Sequence, residues 1–267
     1  MTAYALVFFT DFAANNTFVD ANFLVGLQNY LLSRKNNRGG FIQSFSANSV
    51  GTPIPQISHD AFIVYALTYY SQTVNVTAEV LSLKSAADNQ ISANRVDSHL
   101  VALLANALYR LKRTTEAQVY ADALVKVQNM DGSLMINNAA ATSFNGANGT
   151  ELVLQTTSLA VFVWNNNIAK YTSSITNATG FLYSKIKNGM IGSSVSTSYG
   201  LKAVSTNFAT FSTINGNGTF TVSINDQLVS AVAFTPSNTD AINIDLTPFV
   251  NNKNNSRALA PGQSLVI

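Results

Sequence analysis

Cysteine is absent from this 267-residue sequence. The chain therefore has no disulfide, no thiolate ligand for a metal, no thiol nucleophile and no thioester of its own. Charge is also scarce, because only 10% of the residues are charged and 15 basic against 13 acidic side chains leave a net charge of +2. Lys and Arg do not cluster, so the sequence offers no electrostatic case for binding nucleic acid or an anionic membrane.

Long hydrophobic runs are missing as well, since no stretch approaches the roughly 18–20 residues that a membrane-spanning helix needs. The apolar segment Ala5–Phe9 has no basic flank and no cleavage site, so it is interpreted as part of a helix and not as a signal peptide. What the sequence does have is 47% hydrophobic residues, enough for a sizeable core. Six N-x-S/T sequons are compatible with secretion.

Apolar residues recur at helical spacing through the first two-thirds of the chain. Ser58 and Asp97 each stand where a helix is expected to begin, and both are predicted N-caps. The predicted helices are Met1–Phe9, Ala21–Arg34, Ser58–Tyr70, Thr77–Ile91, Asp97–Leu111, Thr115–Gln128, Leu152–Trp164, Ile175–Ile186 and Ser196–Phe211.

Two features recur at intervals of about 40 to 60 residues, as expected of a degenerate helix-pair repeat. The first is a helix end followed by a Gly-containing turn and an apolar residue, which is Phe41, Leu134 and Ile191 in successive copies. The second is a helix rich in small residues, beginning Asp60-Ala-Phe in one copy and Thr156-Thr-Ser in another. Such hairpins stack into an open solenoid or a closed ring, and periodicity alone does not separate the two.

The pattern changes near Thr213, where apolar and polar residues begin to alternate with a period of two. Phe220–Ile224 and Leu228–Phe234 are predicted strands around a turn at Asn225-Asp226, and Ile242–Leu246 and Ser264–Ile267 are weaker candidates. The predicted fold is therefore mainly α, with helical hairpins over residues 1–212 and a small antiparallel β segment over 213–267.

Few side chains suggest chemistry. His59 and His99 each have an acidic neighbour, but two histidines are too few for a zinc site, and both are predicted to be helix-cap or surface residues. Asp131-Gly-Ser is predicted to be a turn, because the further acidic ligands of a calcium loop are absent. The prediction is that the chain has no catalytic, cofactor-binding or metal-binding residues and needs no cofactor.

Aromatic residues are concentrated at Tyr65, Tyr69 and Tyr70. Such a group suits either the lining of an aromatic pocket or a helix packed in the core. Helical spacing favours the core.

The ordered series of helices resembles the thioester-containing domain of the alpha-2-macroglobulin family. The resemblance covers about residues 1–250, and each motif is less specific than the order in which they occur. The similar segments are Thr2-Ala-Tyr-Ala-Leu-Val, Phe18-Val-Asp through Gly40-Phe41, Asp60-Ala-Phe-Ile-Val-Tyr-Ala-Leu, Leu103-Leu-Ala-Asn-Ala-Leu through Asp131-Gly-Ser, Glu151–Val163 and Gly192-Ser-Ser through Leu201-Lys-Ala.

This resemblance implies an incomplete α/α-toroid of helix hairpins, followed by part of a CUB-like β-sandwich domain. The family's G-C-G-E-Q thioester motif and first ring helices would precede Met1. The implied role is non-enzymatic: endopeptidase inhibition by protease trapping in the extracellular space, here without thioester chemistry. The implied partners are proteases or other proteins and the rest of a larger macroglobulin chain.

Two alternatives stay open. An α/α-toroid enzyme acting on an isoprenoid or a glycan would need convergent carboxylates, for which Asp60, Asp97 and Glu151 are the candidates. The sequence has neither the D-x-D-D nor the D-D-x-x-D motif of the isoprenoid enzymes, which argues against this class. The other alternative is a thioester-free scaffold for protein interaction. In complement relatives a His that assists thioester transfer precedes the helix matched here by Asp60–Leu67; His59 does not match it residue by residue.

Overall fold

A computed structural model describes residues 2–14, 18–43, 54–134, 143–211, 218–224, 227–234 and 265–266. It confirms a mainly α-helical fold and divides the chain into two compact units, Met1–Asn207 and Phe208–Ile267. The helices are α1 (Thr2–Ala14), α2 (Ala21–Ser33), α3 (Gln56–Tyr70), α4 (Thr77–Ser92), α5 (Ser98–Arg110), α6 (Thr114–Lys126), α7 (Gly149–Trp164), α8 (Ile168–Ser184) and α9 (Ser194–Phe211).

The two predicted N-caps have different outcomes. Asp97 caps α5 as predicted, because its side chain accepts hydrogen bonds from the backbone N–H groups of His99 and Leu100. The prediction for Ser58 was wrong, since α3 begins at Gln56 after Pro55 and Ser58 is buried inside the helix. Proline suits this position because it fixes its own φ and has no N–H to leave unpaired.

Buried and amphipathic helices alternate along the chain. Helices α3, α5 and α7 are buried over most of their length, whereas α2, α4, α6 and α8 each bury one face. The buried helices pack on one another in sequence, α1 on α3, α3 on α5 and α5 on α7, and α2, α4, α6 and α8 each pack against the helix before them. Small residues such as Ala102, Ala105 and Ala160 let the inner helices approach closely.

Helix α9 returns the chain to its beginning. Its Ser196 Oγ accepts a hydrogen bond from Gln155 Nε2 of α7 at 3.3 Å. Six residues further on, Lys202 Nζ lies 2.6 Å from both carboxylate oxygens of Asp11 in α1. The contacts among α1, α3, α5, α7 and α9 therefore form a closed circuit, which an open row of hairpins would not make.

A zero-length crosslinker tests this closure directly. A carbodiimide is expected to join Lys202 to Asp11 by an amide bond, because the two groups already form an ion pair. Mass spectrometry of the digest would identify the linked peptides. Lys170 and Asp122, paired at 2.7 Å, serve as the internal positive control. If the control pair couples and Lys202 does not couple to Asp11, the closed circuit is incorrect.

The predicted repeat appears as three similar junctions, which join α2 to α3, α6 to α7 and α8 to α9. At each junction a left-handed glycine forms the turn, with φ of +81° at Gly39, +89° at Gly132 and +77° at Gly189. A short backbone bridge joins the two sides of each turn, Lys35 to Phe41, Gln128 to Leu134 and Lys187 to Met190. Glycine suits these positions because its missing Cβ removes the steric cost of positive φ.

A side chain of the helix after each of these three turns accepts a hydrogen bond from the backbone N–H of the apolar residue that follows the turn. The donors and acceptors are Phe41 N–H to Asp60 Oδ1 at 2.9 Å, Leu134 N–H to Thr157 Oγ1 at 3.1 Å, and Ile191 N–H to Thr197 Oγ1 at 2.9 Å. We refer to these three hydrogen bonds as the junction ties. They give a structural role to the Asp or Thr near the start of each small-residue segment of the repeat.

Removing one tie without changing side-chain shape measures its contribution. Thr157→Val is expected to lower the free energy of unfolding by about 1–3 kcal/mol, because it leaves the N–H of Leu134 buried and unpaired. Thr197→Val is the matched variant, and a smaller loss is expected because Thr197 is half-buried and water can replace its hydroxyl. Urea unfolding followed by circular dichroism compares the two. No loss in Thr157→Val would show that its tie contributes nothing.

The second unit contains β1 (Gly218–Ile224), β2 (Gln227–Phe234) and β3 (Leu265–Val266) in the order β2-β1-β3. Strands β1 and β2 are antiparallel, with Gly218 opposite Phe234 and Ile224 opposite Gln227, and β1 also pairs antiparallel with β3. The predicted strands Phe220–Ile224 and Leu228–Phe234 are thus present. The predicted turn at Asn225-Asp226 and the candidate strand Ile242–Leu246 lie outside the described residues.

Candidate functional site

The first unit contains a cavity of about 330 Å³ at the carboxyl-terminal ends of α3, α5 and α7. The second half of α9 forms another part of its wall. This position follows from the alternation of the helices, since every second helix runs in the same direction and their last turns collect at one end. The residues on which the argument depends are Tyr69, Arg110, Phe162, Asn165, Asn166 and Lys202.

Tyr69 links the cavity to the closing contact between α9 and α1. Its hydroxyl donates a hydrogen bond to Asp11 Oδ1 and accepts one from Lys202 Nζ. Burial, reinforced by the hydrogen bond to Asp11, raises the pKa of the Tyr69 hydroxyl well above its usual value. The phenol therefore keeps its proton and acts as a donor to Asp11, and Asp11 balances the charge of Lys202.

Arg110 contacts the same ring. Its guanidinium carbon lies 3.9 Å from the centroid of Tyr69, while Lys202 Nζ is 4.9 Å from it. Arg110 forms no ion pair with any described carboxylate. A structural role accounts for part of this placement, because a cation in the last turn of α5 is favoured by the helix dipole.

Two lining residues have buried polar atoms that lack a partner among the described residues. These are the hydroxyl of Tyr109 and both the oxygen and the nitrogen of the Asn165 side-chain amide. Buried polar groups are normally paired, so each such atom requires a partner that is a water or a ligand. Asn166, in contrast, donates from its amide to the carbonyls of Phe162 and Val163 at 2.9 and 3.0 Å.

The cavity is electropositive. Arg110, Lys112 and Lys202 line it, and no carboxylate is among the described residues of the wall. Asp11 compensates Lys202, which leaves Arg110 and Lys112 without an ion-pair partner among the described residues. The arrangement suits an anionic group with a neighbouring neutral hydrogen-bonding group.

The three carboxylates proposed from the sequence as an enzymatic set do not line this cavity, and each has a structural partner. Asp60 accepts hydrogen bonds from Phe41 N–H and Gln56 Nε2, and Asp97 caps α5. Glu151 accepts from the N–H of Ser193 and, at 2.6 Å, from the Ser196 hydroxyl. These partners, led by the Ser196 hydroxyl, outweigh burial and hold the pKa of Glu151 below its usual value. The structure does not bring the three together.

The two histidines differ from each other. His59 is half-buried in the first turn of α3, with Nδ1 at 3.6 Å from Asp60 Oδ1. His99 is only 3% exposed, so its prediction as a cap or surface residue was wrong. Its Nδ1 is hydrogen-bonded to Thr156 Oγ1 at 3.0 Å, and burial lowers its pKa to about 4. Within the described residues, no three His, Asp or Glu side chains come together as metal ligands would.

The tyrosines predicted to pack in the core do so unequally. Tyr65 is fully buried, whereas Tyr69 and Tyr70 are half-buried and Tyr69 lines the cavity. Asp131-Gly132-Ser133 forms the predicted turn, in which the Asp131 carboxylate accepts hydrogen bonds from the N–H and the hydroxyl of Ser133.

The sequence analysis did not identify Arg110 or Lys202 as residues of a functional site. The available signal was Lys202 itself, a cation within an otherwise small-residue helix of the repeat.

The comparisons with known proteins give no family: no family model matches the chain, and no curated protein matches it. None of the described helices is long and apolar enough to cross a membrane.

Proposed function

We propose that this chain is the helical frame of a macroglobulin-like protease inhibitor, and that it acts by contact with other proteins and not by catalysis. The observation that carries the proposal is the closed circuit of inner helices, in which Lys202 of α9 pairs with Asp11 of α1. An α/α-toroid of the macroglobulin type needs this return of the last hairpin towards the first. The switch from helices to antiparallel strands after α9 is a second point of agreement with that family.

The junction ties add support, because two of them involve segments that resemble the family's ring helices. Asp60 and Thr157 lie in the segments Asp60-Ala-Phe and Thr156-Thr-Ser, which resemble the family's ring helices. The ties are contacts of the frame itself, and a frame can keep them when thioester chemistry is absent. Asp60, Asp97 and Glu151 accept hydrogen bonds that stabilise the same frame. They were the candidate carboxylates for an isoprenoid- or glycan-acting enzyme, so this alternative has lost its support.

The surface of α1 is suited to protein contact. Phe8 and Phe12 are 47% and 44% exposed, and their rings stack with centroids 6.3 Å apart. Phe23 of α2, 45% exposed, extends this aromatic surface by an edge-to-face contact with Phe9. Adjacent exposed aromatic rings are typical of surfaces that another protein covers. In the proposed function, the rest of a larger macroglobulin chain covers this face.

An extracellular location belongs to the same proposal. Sequon residues Asn75 and Asn148 are exposed, so glycans on them would extend into solvent. Glycosidase treatment of the protein recovered from culture medium is expected to reduce its mass. A protein found only inside cells would contradict this part of the proposal.

Protease trapping is tested on the native protein. An antibody raised against this chain is expected to recover a polypeptide much larger than 28.6 kDa from the medium of expressing cells. After addition of trypsin, the recovered material is expected to hydrolyse a small peptide substrate but not casein, because a trapped protease is shielded from large substrates. A native polypeptide of the size of this chain alone, or trypsin that still digests casein, would refute the proposal.

A further inference from the structure

We propose that the cavity at the carboxyl-terminal ends of α3, α5 and α7 binds a small carboxylate that also carries an amide. This is the chemistry of an N-acylated amino acid and of the last residue of a peptide. The inference concerns a ligand site and does not depend on protease trapping.

The anionic end of the ligand is assigned to Arg110. Its guanidinium carbon lies 3.9 Å from the Tyr69 ring centroid, and it lacks a carboxylate partner among the described residues, although it lines the cavity. A guanidinium has five N–H donors, so Arg110 can contact Tyr69 and still bind a carboxylate through two parallel hydrogen bonds. The contact with Tyr69 also restrains the side chain in advance, so that less rotational freedom is lost when an anion binds.

The net positive charge of the cavity wall also favours binding of the anionic end of the ligand. Lys202 and Asp11 neutralise each other, whereas Lys112 adds a second uncompensated cation to that of Arg110. No carboxylate among the described lining residues would repel the ligand. The last carbonyls of three helices also face this end, and their partial negative charge explains why cations are placed here. Because of that negative charge, an anion must bind at Arg110 and Lys112 and not deeper among the carbonyls.

The amide of the ligand is assigned to Asn165. Both polar atoms of this side chain are buried and unpartnered among the described residues, so the site lacks one donor and one acceptor. A secondary amide supplies one of each, and no single simple anion does. Phe162 provides an apolar part of the wall against which a side chain of the ligand can pack. The volume of about 330 Å³ holds one or two amino-acid residues.

Binding is expected to be weak, with a dissociation constant on the order of 0.1–1 mM, because small ligands gain about 0.3 kcal/mol per non-hydrogen atom. Titration of the isotope-labelled chain with N-acetylphenylalanine, observed by NMR, measures it. Signals of Arg110 and Asn165 are expected to shift, and those of Arg95 are not. A short peptide with a free carboxyl terminus forms the second arm, and tighter binding there identifies a peptide end as the source.

Arg110→Gln is expected to weaken binding at least roughly tenfold, since it removes the charge-assisted pair. Arg95→Gln is the matched control: it makes the same charge change at an exposed residue before the opposite end of α5 and should bind as the parent does. The amidated forms of both ligands should not bind.

The assignment would be overturned if neither ligand bound at 10 mM, a limit roughly tenfold above the expected dissociation constant. It would also be overturned if the amidated forms bound equally well, or if both arginine variants lost the same affinity. If Arg110→Gln does not fold, the shifts of the parent chain decide. Shifts that leave Arg110 and Asn165 unaffected would then reject the site. Inorganic phosphate that binds as tightly as the carboxylate would reject the role of the amide.

Discussion

Replacing Gly132 with alanine is expected to destabilise the helical unit by about 3 kcal/mol or more. Gly132 has φ of +89°, and a Cβ on it would lie 2.0 Å from the backbone carbonyl oxygen of Asn177 in α8. Positive φ alone costs about 1–2 kcal/mol for a residue with a side chain, and overpacking against backbone adds about 1–3 kcal/mol. Urea unfolding followed by far-ultraviolet circular dichroism measures the sum.

Gly189→Ala is the matched control for this prediction. Gly189 occupies the same place in another junction and has a similar φ of +77°, but an added Cβ would meet nothing within 4 Å. It is expected to lose only the cost of positive φ, about 1–2 kcal/mol. The difference between the two variants isolates the close approach of the turn to α8. Equal losses would mean that α8 moves away from the turn at no cost.

Acidification from pH 7 to pH 4 is expected to remove about 3 kcal/mol of stability through His99 alone. Burial lowers the pKa of this imidazole from 6.5 to about 4. Between these two values the unfolded chain binds a proton that the folded chain does not. The loss of stability through His99 therefore begins near pH 6.5, grows as the pH falls and levels off below about pH 4.

Carboxylates also affect the stability at the lower end of this pH range, near pH 4. Asp97 works against His99 there, because burial raises its pKa and favours proton binding by the folded chain. Glu116 acts in the same direction as His99, since hydrogen bonds from Arg113 and Lys84 lower its pKa from 4.5 to about 2, and its effect begins near pH 4.5. The decline between pH 6.5 and about 5, above the range in which carboxylates titrate, is therefore assigned to His99.

His99→Asn tests the assignment, because its amide can take the place of Nδ1 beside Thr156 without titrating. The variant is expected to be less stable at pH 7, yet its free energy of unfolding should change much less between pH 7 and pH 4. An unchanged pH dependence in His99→Asn would show that another group is responsible.

Local patterns were sufficient to predict the helices and the junctions. Helix α5 is predictable because Leu100, Leu104 and Leu108 form an apolar stripe and Asp97 caps its first turn. The junction turns are predictable because a left-handed position such as Gly132 restricts the sequence. The start of α3 was misplaced because Pro55 marks a helix beginning as well as serine does, and the two compete within a few residues.

The cavity was not predictable, because its members come from separate hairpins. Arg110 and Lys202 both lie close to the Tyr69 ring only after α9 has returned to α1. No spacing in the sequence encodes that return. The burial of His99 was missed for a related reason, since its partner Thr156 lies 57 residues away on α7. A polar residue is recognisable as internal only when its distant partner is known.

The junction ties and the closing ion pair respond differently to a change in the number of hairpins. Each tie joins one turn to the helix that follows it, within 6 to 23 residues, so a duplicated or deleted hairpin would leave the other ties intact. Lys202 and Asp11 are separated by 191 residues and meet only if the intervening hairpins complete the circuit. The ties would therefore survive a change in the number of hairpins, whereas the ion pair between Lys202 and Asp11 forms only when that number is the right one to close the circuit.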